Sequence, residues 1–233
     1  MKNLIWIILI VFLITGCQQK AVKQEKIKIA NNLIMVGNYS GMIQCADCPG
    51  INMVLELNAD STYMLEETYL NADKTPKNKL YSLGKWIAVN DGIITLKSGK
   101  EENWLFGAVS SDKLVLLDKQ SKEIKQDTNF FIKRTDKGIS QTTGFEMTGL
   151  YSYIANAGLF TECNTGITYP VAGEEDNSNL ETEYLKIKKD SLEKIFVKVN
   201  GHFKIIPKAI GRGNEKFMVV SKLIGFDRES KCK

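Results

Sequence analysis

The chain has 233 residues, enough for one large or two small domains, with 43% hydrophobic and 25% charged residues, 18 Gly and 4 Pro. That composition is of an ordinary folded protein and excludes collagen-like, disordered and multi-span membrane classes. The net charge of +4 comes from lysines scattered along the chain, and a single histidine, His202, excludes metal sites that need two or three imidazoles.

Residues 1–3 (Met-Lys-Asn) give a short positive start, and residues 4–14 are an unbroken apolar run of eleven. A spanning helix needs about 20 apolar residues, so residues 1–16 read as a secretory signal peptide. The run ends in Ile14-Thr15-Gly16-Cys17. An aliphatic residue, two small ones and a cysteine resemble the bacterial lipobox, in which the cysteine is lipidated and becomes the new N-terminus. Cys17 is therefore the expected lipidation site, and acyl chains worth ~0.8 kcal/mol per buried CH2 would anchor the chain to a membrane without spanning it. Residues 17–32 are polar and carry Lys20, Lys23, Lys26 and Lys28, the character of a flexible tether. Neither Gln18 nor Gln19 is the Asp that favours inner-membrane retention in enterobacteria, so the expected location is the outer membrane, facing the periplasm.

From Ile51 onward the hydrophobic period is two. Met53, Leu55 and Leu57 alternate with Val54 and Glu56, residues 58–61 supply a turn, and Tyr63, Leu65 and Tyr69 resume beyond it, which predicts a β-hairpin. Further strands are predicted at residues 80–88, 93–96, 104–109, 113–117 and 129–133, with Asn90-Asp91-Gly92 as a turn. Their regular spacing predicts an up-and-down antiparallel barrel over residues 33–134. Residues 134–145 are polar and rich in Gly and Thr, and the domain boundary is placed there.

The second domain, residues 147–233, opens with a strand at 150–154 and continues through Gly158-Leu159-Phe160 and Tyr169-Pro170-Val171. Ser178-Asn179-Leu180-Glu181 has the capping-box pattern, and Leu180, Tyr184 and Ile187 then fall on one side of a helix that reaches about residue 189. Residues 195–199 and 203–206 flank Asn200-Gly201, a hairpin signal that would put His202 on the solvent side, and residues 217–224 make a last strand. About five strands and one helix predict a small OB-type barrel. The fold class expected for the whole chain is all-β, two barrels in tandem.

With Cys17 assigned to a lipid, Cys45, Cys48, Cys163 and Cys232 remain, and an exported chain meets an oxidising compartment. Four thiols allow three pairings; domain organisation favours Cys45 with Cys48 and Cys163 with Cys232. Cys45-Ala46-Asp47-Cys48 is open to three readings: a metal clamp, a redox pair or a local turn. A thioredoxin-type motif begins a helix, whereas Pro49-Gly50 and then a strand pattern follow here. Zinc would need further ligands that the sequence does not offer, whereas two thiolates suit Cu(I), with Met35, Met42, Met53 and Met64 as possible thioether donors. Cu(I) at reduced Cys45 and Cys48 is the one cofactor expected. No arrangement of Ser, Asp and the one His resembles a catalytic constellation, so an enzyme is not expected, nor is a nucleic-acid partner, for want of a basic groove with interleaved aromatics.

The segment Gly41-Met-Ile-Gln-Cys45-Ala-Asp-Cys48-Pro-Gly-Ile51, preceded by Gly37-Asn-Tyr39, resembles the N-terminal domain of NlpE-type lipoproteins. Residues 149–157, 160–166, 169–172 and 180–185 are similar to that family's C-terminal OB domain. The resemblance implies a lipocalin-like first barrel. It also implies an outer-membrane lipoprotein linked to copper tolerance, which senses envelope or surface stress and activates the Cpx two-component response through a sensor kinase. Gln44 stands where the family usually has Pro. The alternative is a periplasmic carrier of a lipid or small apolar ligand, since small up-and-down barrels can enclose one molecule.

Overall fold

A computed structural model of the chain describes residues 35–89, 92–99, 101–124, 130–139, 144–208 and 212–232, with backbone alone at 101–103. The expected signal peptide, Cys17, the tether and two residues of the Asn90-Asp91-Gly92 turn lie outside the described residues.

Eight strands form the first module: β1 (Gly37–Ile43), β2 (Ile51–Leu57), β3 (Thr62–Leu70), β4 (Pro76–Val89), β5 (Ile93–Ser98), β6 (Glu101–Ser110), β7 (Lys113–Leu116) and β8 (Phe131–Thr135). Each pairs antiparallel with the next, and β8 returns to β1, closing an up-and-down barrel. The alternation read in β2 and β3 is the inside-outside alternation of this barrel. Met53, Leu55, Leu57, Tyr63 and Leu65 point inward and are at most 2% exposed, and Trp86, Ile94, Leu96, Phe106, Leu114 and Ile132 join them in one core. Arg134 and Tyr39 close the bottom. The guanidinium lies 4.9 Å from the Tyr39 ring centre and donates to the Tyr39 hydroxyl (2.8 Å) and to the carbonyls of Val36 and Ser111 (both 2.9 Å).

The second module contains β9 (Phe145–Ile154), β10 (Ala157–Glu162), β11 (Thr168–Pro170), α1 (Asn177–Ile187), β12 (Ile195–Pro207) and β13 (Asn214–Asp227), with sheet order β11-β10-β9-β12-β13. β13 curls until Met218 meets Val171 in a parallel bridge, where its carbonyl also accepts the Ala172 N–H at 2.8 Å. The five strands thus wrap into the OB-type barrel. Helix α1 packs on β13 and β9, burying Leu180 and Tyr184, with the Tyr184 ring edge-on to Tyr151 at 5.1 Å.

Three local expectations are corrected. Asn200-Gly201 does not turn the chain: β12 runs straight through it, and the irregularities at Lys198/Val199 and Asn200/Gly201 are β-bulges against β13. Glycine is needed because a Cβ at Gly201 would stand 2.3 Å from the Val219 carbonyl oxygen. His202 is consequently a mid-strand residue opposite Val219, partly buried rather than solvent-facing at a hairpin. The capping box also falls inside the helix. Asp176 is the N-cap and makes no side-chain cap, because its carboxylate accepts the Leu223 N–H at 2.7 Å and ties the helix start to β13. The helix ends at Ile187, earlier than expected.

The modules share packing. Met64, Tyr81 and Leu83 point outward from the first barrel; Leu83 belongs to the core of the second, and Met64 and Tyr81 pack against it, with Tyr81 stacked on Phe145 at 5.1 Å.

Candidate functional site at the barrel rim

Ile43 pairs with Ile51, and between them residues 44–50 form the loop that carries the two cysteines. No helix begins there. Cys45 and Cys48 are half-buried, joined in a disulfide with Cα atoms 5.1 Å apart, while Ala46 and Asp47 are exposed. The Gly50 carbonyl pins the loop: it accepts the Leu70 N–H at 3.1 Å, and Cys48 Sγ lies 3.4 Å from it. Gly50 is buried beneath Met42, whose sulfur would be 3.2 Å from a Cβ at that position.

Of the four methionines near the motif in sequence, only Met42 therefore stands at the loop, with 48% exposure. Met35 and Met53 are buried in the barrel core, and Met64 packs toward the second module. Sequence spacing could not separate them, because strand register decides which face each occupies. Once reduced, the loop offers two thiolates with a thioether beside them, a soft donor set that fits Cu(I). Among the described residues no group of three or more His, Cys, Asp or Glu side chains could hold a metal ion.

Cys163 and Cys232 are also joined, with Cα atoms 5.0 Å apart and a separation of 69 positions in sequence. Cys163 leaves β10 with its N–H on the Thr148 carbonyl (3.0 Å). The turn beyond it is organised by the buried Glu162, whose carboxylate accepts the N–H groups of Asn164 (3.0 Å) and Thr165 (2.7 Å). On the other side the tail after β13 holds itself. Asp227 accepts from the Ser230 hydroxyl (2.7 Å) and the Glu229 N–H (2.9 Å), bonds that lower its pKa. Arg228 donates to the Ile187 carbonyl (2.6 Å) and pairs with Glu193.

Two further features were not legible in the sequence. A cavity of about 240 Å³ lies at the junction of the modules, lined by Glu56, Met64, Leu83, Tyr169, His202 and Lys216 among others. There the Glu56 carboxylate accepts the Ile139 N–H at 2.6 Å, fixing the connector to β2; burial raises its pKa, and the Ile139 bond and Lys216 oppose that rise. Inside the first barrel Tyr39, Leu55, Tyr63, Leu65, Leu96 and Phe106 are fully buried and pack as one core.

A closed up-and-down barrel with a disulfide loop on its rim, followed by an OB-type barrel stapled at its C-terminus, makes a two-module β-protein. Residues 39–127 match the family model for the NlpE N-terminal domain, and residues 141–233 match that for the NlpE C-terminal OB domain. The chain is 29% identical over 194 residues to lipoprotein NlpE of Escherichia coli (strain K12), covering 82% of this chain and 79% of that protein. It is 35% identical over 74 residues to the 17 kDa lipoprotein of Treponema pallidum (strain Nichols), covering 32% of this chain and 45% of that one. The crystal structure of the Cpx pathway activator NlpE from Escherichia coli aligns over 85% of this chain and 98% of its own, with 27% identity and a TM-score of 0.37. The chain belongs to the NlpE lipoprotein family. No helix among the described residues is long and apolar enough to cross a membrane.

Proposed function

We propose that this chain is a non-catalytic envelope-stress lipoprotein, lipidated at Cys17, held in the outer membrane facing the periplasm, and able to activate a Cpx-type two-component response through its sensor kinase. The observation that carries the reading is the match of both halves, in order, to the two NlpE domains, with a relative described as the activator of the Cpx pathway. In the same reading the rim loop supports copper tolerance. Reduced Cys45 and Cys48, with Met42 beside them, would hold Cu(I); the ion supplies no reaction here, and its binding is confined to the dithiol state because bonded sulfurs offer no thiolate.

The test is made in a bacterial host that lacks its own protein of this kind and carries a Cpx-dependent reporter. Production of the wild-type chain should raise the reporter, and Cys17→Ala should abolish the rise along with fractionation to the membrane. A wild-type chain that reaches the membrane and leaves the reporter unchanged overturns the signalling reading. Competition between the reduced protein and a Cu(I) chelator decides the copper part: equal affinity for wild type and the Cys45→Ser, Cys48→Ser double variant ends it.

A further inference from the structure

The barrel is filled unevenly along its axis. Register places the inward residues of β2, β3 and β4 on successive rungs: Leu57, Tyr63 and Gly84; then Leu55, Leu65 and Ser82; then Met53, Glu67 and Leu80; and at the rim Ile51, Tyr69 and Asn78. On the first two rungs the large side chains are at most 2% exposed, but on the third Leu80 is 52% exposed although it faces inward, and Asn78 above it is exposed as well. The mouth is therefore open on the β4 side, one rung deep. Two residues of strand set that depth at roughly 7 Å.

A carboxylate stands at the floor of this mouth. Burial raises the pKa of Glu67, and the side chain of Trp104, which the register with Leu96 also turns inward, lies near enough to oppose that rise. The lysine nearest in register, Lys79, points to the outer face and is paired there with Glu66 at 2.9 Å. A carboxylate has about four acceptor positions, more than one neighbouring indole N–H can fill. Tyr69, on the next rung, is close enough for Glu67 to raise its pKa further after burial.

We propose that the mouth of the first barrel is a binding site for small organic ammonium ions that carry a short apolar body, with the ammonium group on Glu67 between the rings of Trp104 and Tyr69 and the body against Leu80. A cation supplies the missing donors to the carboxylate and is attracted to the faces of tryptophan and tyrosine. The shallow depth admits an ammonium group with a few carbons or a phenyl ring and excludes a buried acyl chain. A lone carboxylate without further oxygen ligands does not make a metal site. The site is independent of the cysteine loop, which borders the same rim.

The experiment compares three molecules of one shape on the full chain in detergent by titration calorimetry near neutral pH: 2-phenylethylamine, which is protonated, neutral 2-phenylethanol and anionic 3-phenylpropionate. The ammonium ion should bind about tenfold or more tightly than the alcohol, as expected for one charge-assisted contact, and the carboxylate least. Glu67→Gln should bring amine and alcohol to within about twofold, and Leu80→Ser should weaken both alike. The wild type provides a control free of any folding question, because acidification protonates Glu67 while the amine stays charged, so the preference should fade at low pH. Equal binding of amine and alcohol, a preference that survives Glu67→Gln or acidification, or no binding of the amine up to about 5 mM, weaker than the millimolar range of the loosest specific sites, overturns the proposal.

Discussion

Removal of the C-terminal disulfide by Cys163→Ser with Cys232→Ser is expected to cost the second module most of its stability. The bond closes a loop of about 70 residues, and the chain-entropy relation assigns such a loop about 4 kcal/mol at 25 °C. The native contacts around it do not replace that contribution. Asp227 with Ser230, and Arg228 with Ile187 and Glu193, hold the tail in the folded state and survive reduction, but they do nothing to restrict the unfolded chain, where the disulfide acts. A module of roughly 90 residues loses about 4–8 °C of Tm per kcal/mol, so the transition of the second module should fall by about 15–30 °C. Differential scanning calorimetry of wild type, wild type with dithiothreitol, and the double variant reads this directly; reductant should reproduce the variant and add nothing to it. The matching Cys45→Ser, Cys48→Ser change opens a four-residue loop and should cost the first barrel no more than about 2 kcal/mol. A fall of less than about 5 °C for Cys163→Ser with Cys232→Ser, equivalent to roughly 1 kcal/mol, would refute the loop-closure argument.

Other perturbations test the first barrel. Arg134→Ala removes the bonds to Tyr39, Val36 and Ser111 and the cover over Tyr39 and should destabilise by about 2–3 kcal/mol in urea unfolding; a loss under about 0.5 kcal/mol would mean that water replaces the guanidinium at no cost. Gly84→Ala would put a Cβ 2.0 Å from the Lys97 carbonyl oxygen and 2.7 Å from the Tyr63 ring, so β4 and β5 must separate, at about 3 kcal/mol; an unchanged urea midpoint would show that the barrel yields there. For Glu67, burial raises the carboxyl pKa, so the native chain binds its proton more tightly than the unfolded one, and stability falls as pH climbs from the ordinary carboxylate range through the raised value. Glu67→Gln lacks this loss, and its Tm advantage over wild type should grow as pH rises above the ordinary carboxylate range of about 4; a difference that does not change with pH would disprove the assignment.

The parts of the fold that were legible in sequence are those where one residue has one neighbour to satisfy. β2 alternates cleanly because its inner face meets only the barrel core. β1 escaped the periodicity because Gly41 occupies an inward position, where a Cβ would come within 2.7 Å of the Phe131 carbonyl oxygen. The residue that lets β8 close on β1 is the one that erases the strand signal. Asn200-Gly201 misled for a related reason: the dipeptide that turns a hairpin also supplies the bulge that bends a 13-residue strand between two neighbours. Tyr81 and Leu83 carried no sign that they serve a second core, since an outward apolar residue reads the same whether it faces water or another module. At the site, the cysteine pattern was visible as written, whereas the choice of Met42 over Met53 depends on register alone.

The filled interior limits how a change at the cysteine loop can reach the rest of the molecule. β2 leads from Ile51 beside the loop to Glu56, which pins the connector through Ile139, so it is the covalent path from the rim to the junction. Sliding β2 by one residue would turn Met53, Leu55 and Leu57 from the core to the outside. At roughly 1.5–3 kcal/mol for each side chain, that costs about 5–9 kcal/mol, comparable to the whole stability of a domain. Opening the disulfide or seating an ion on two sulfurs of a half-exposed loop does not supply a shift of that size through a packed strand. The ladder between Ile43 and Ile51 therefore confines the change to residues 44–50. Any partner that distinguishes the oxidised from the reduced state must touch the loop itself, at the end of the barrel away from Glu56 and the junction cavity.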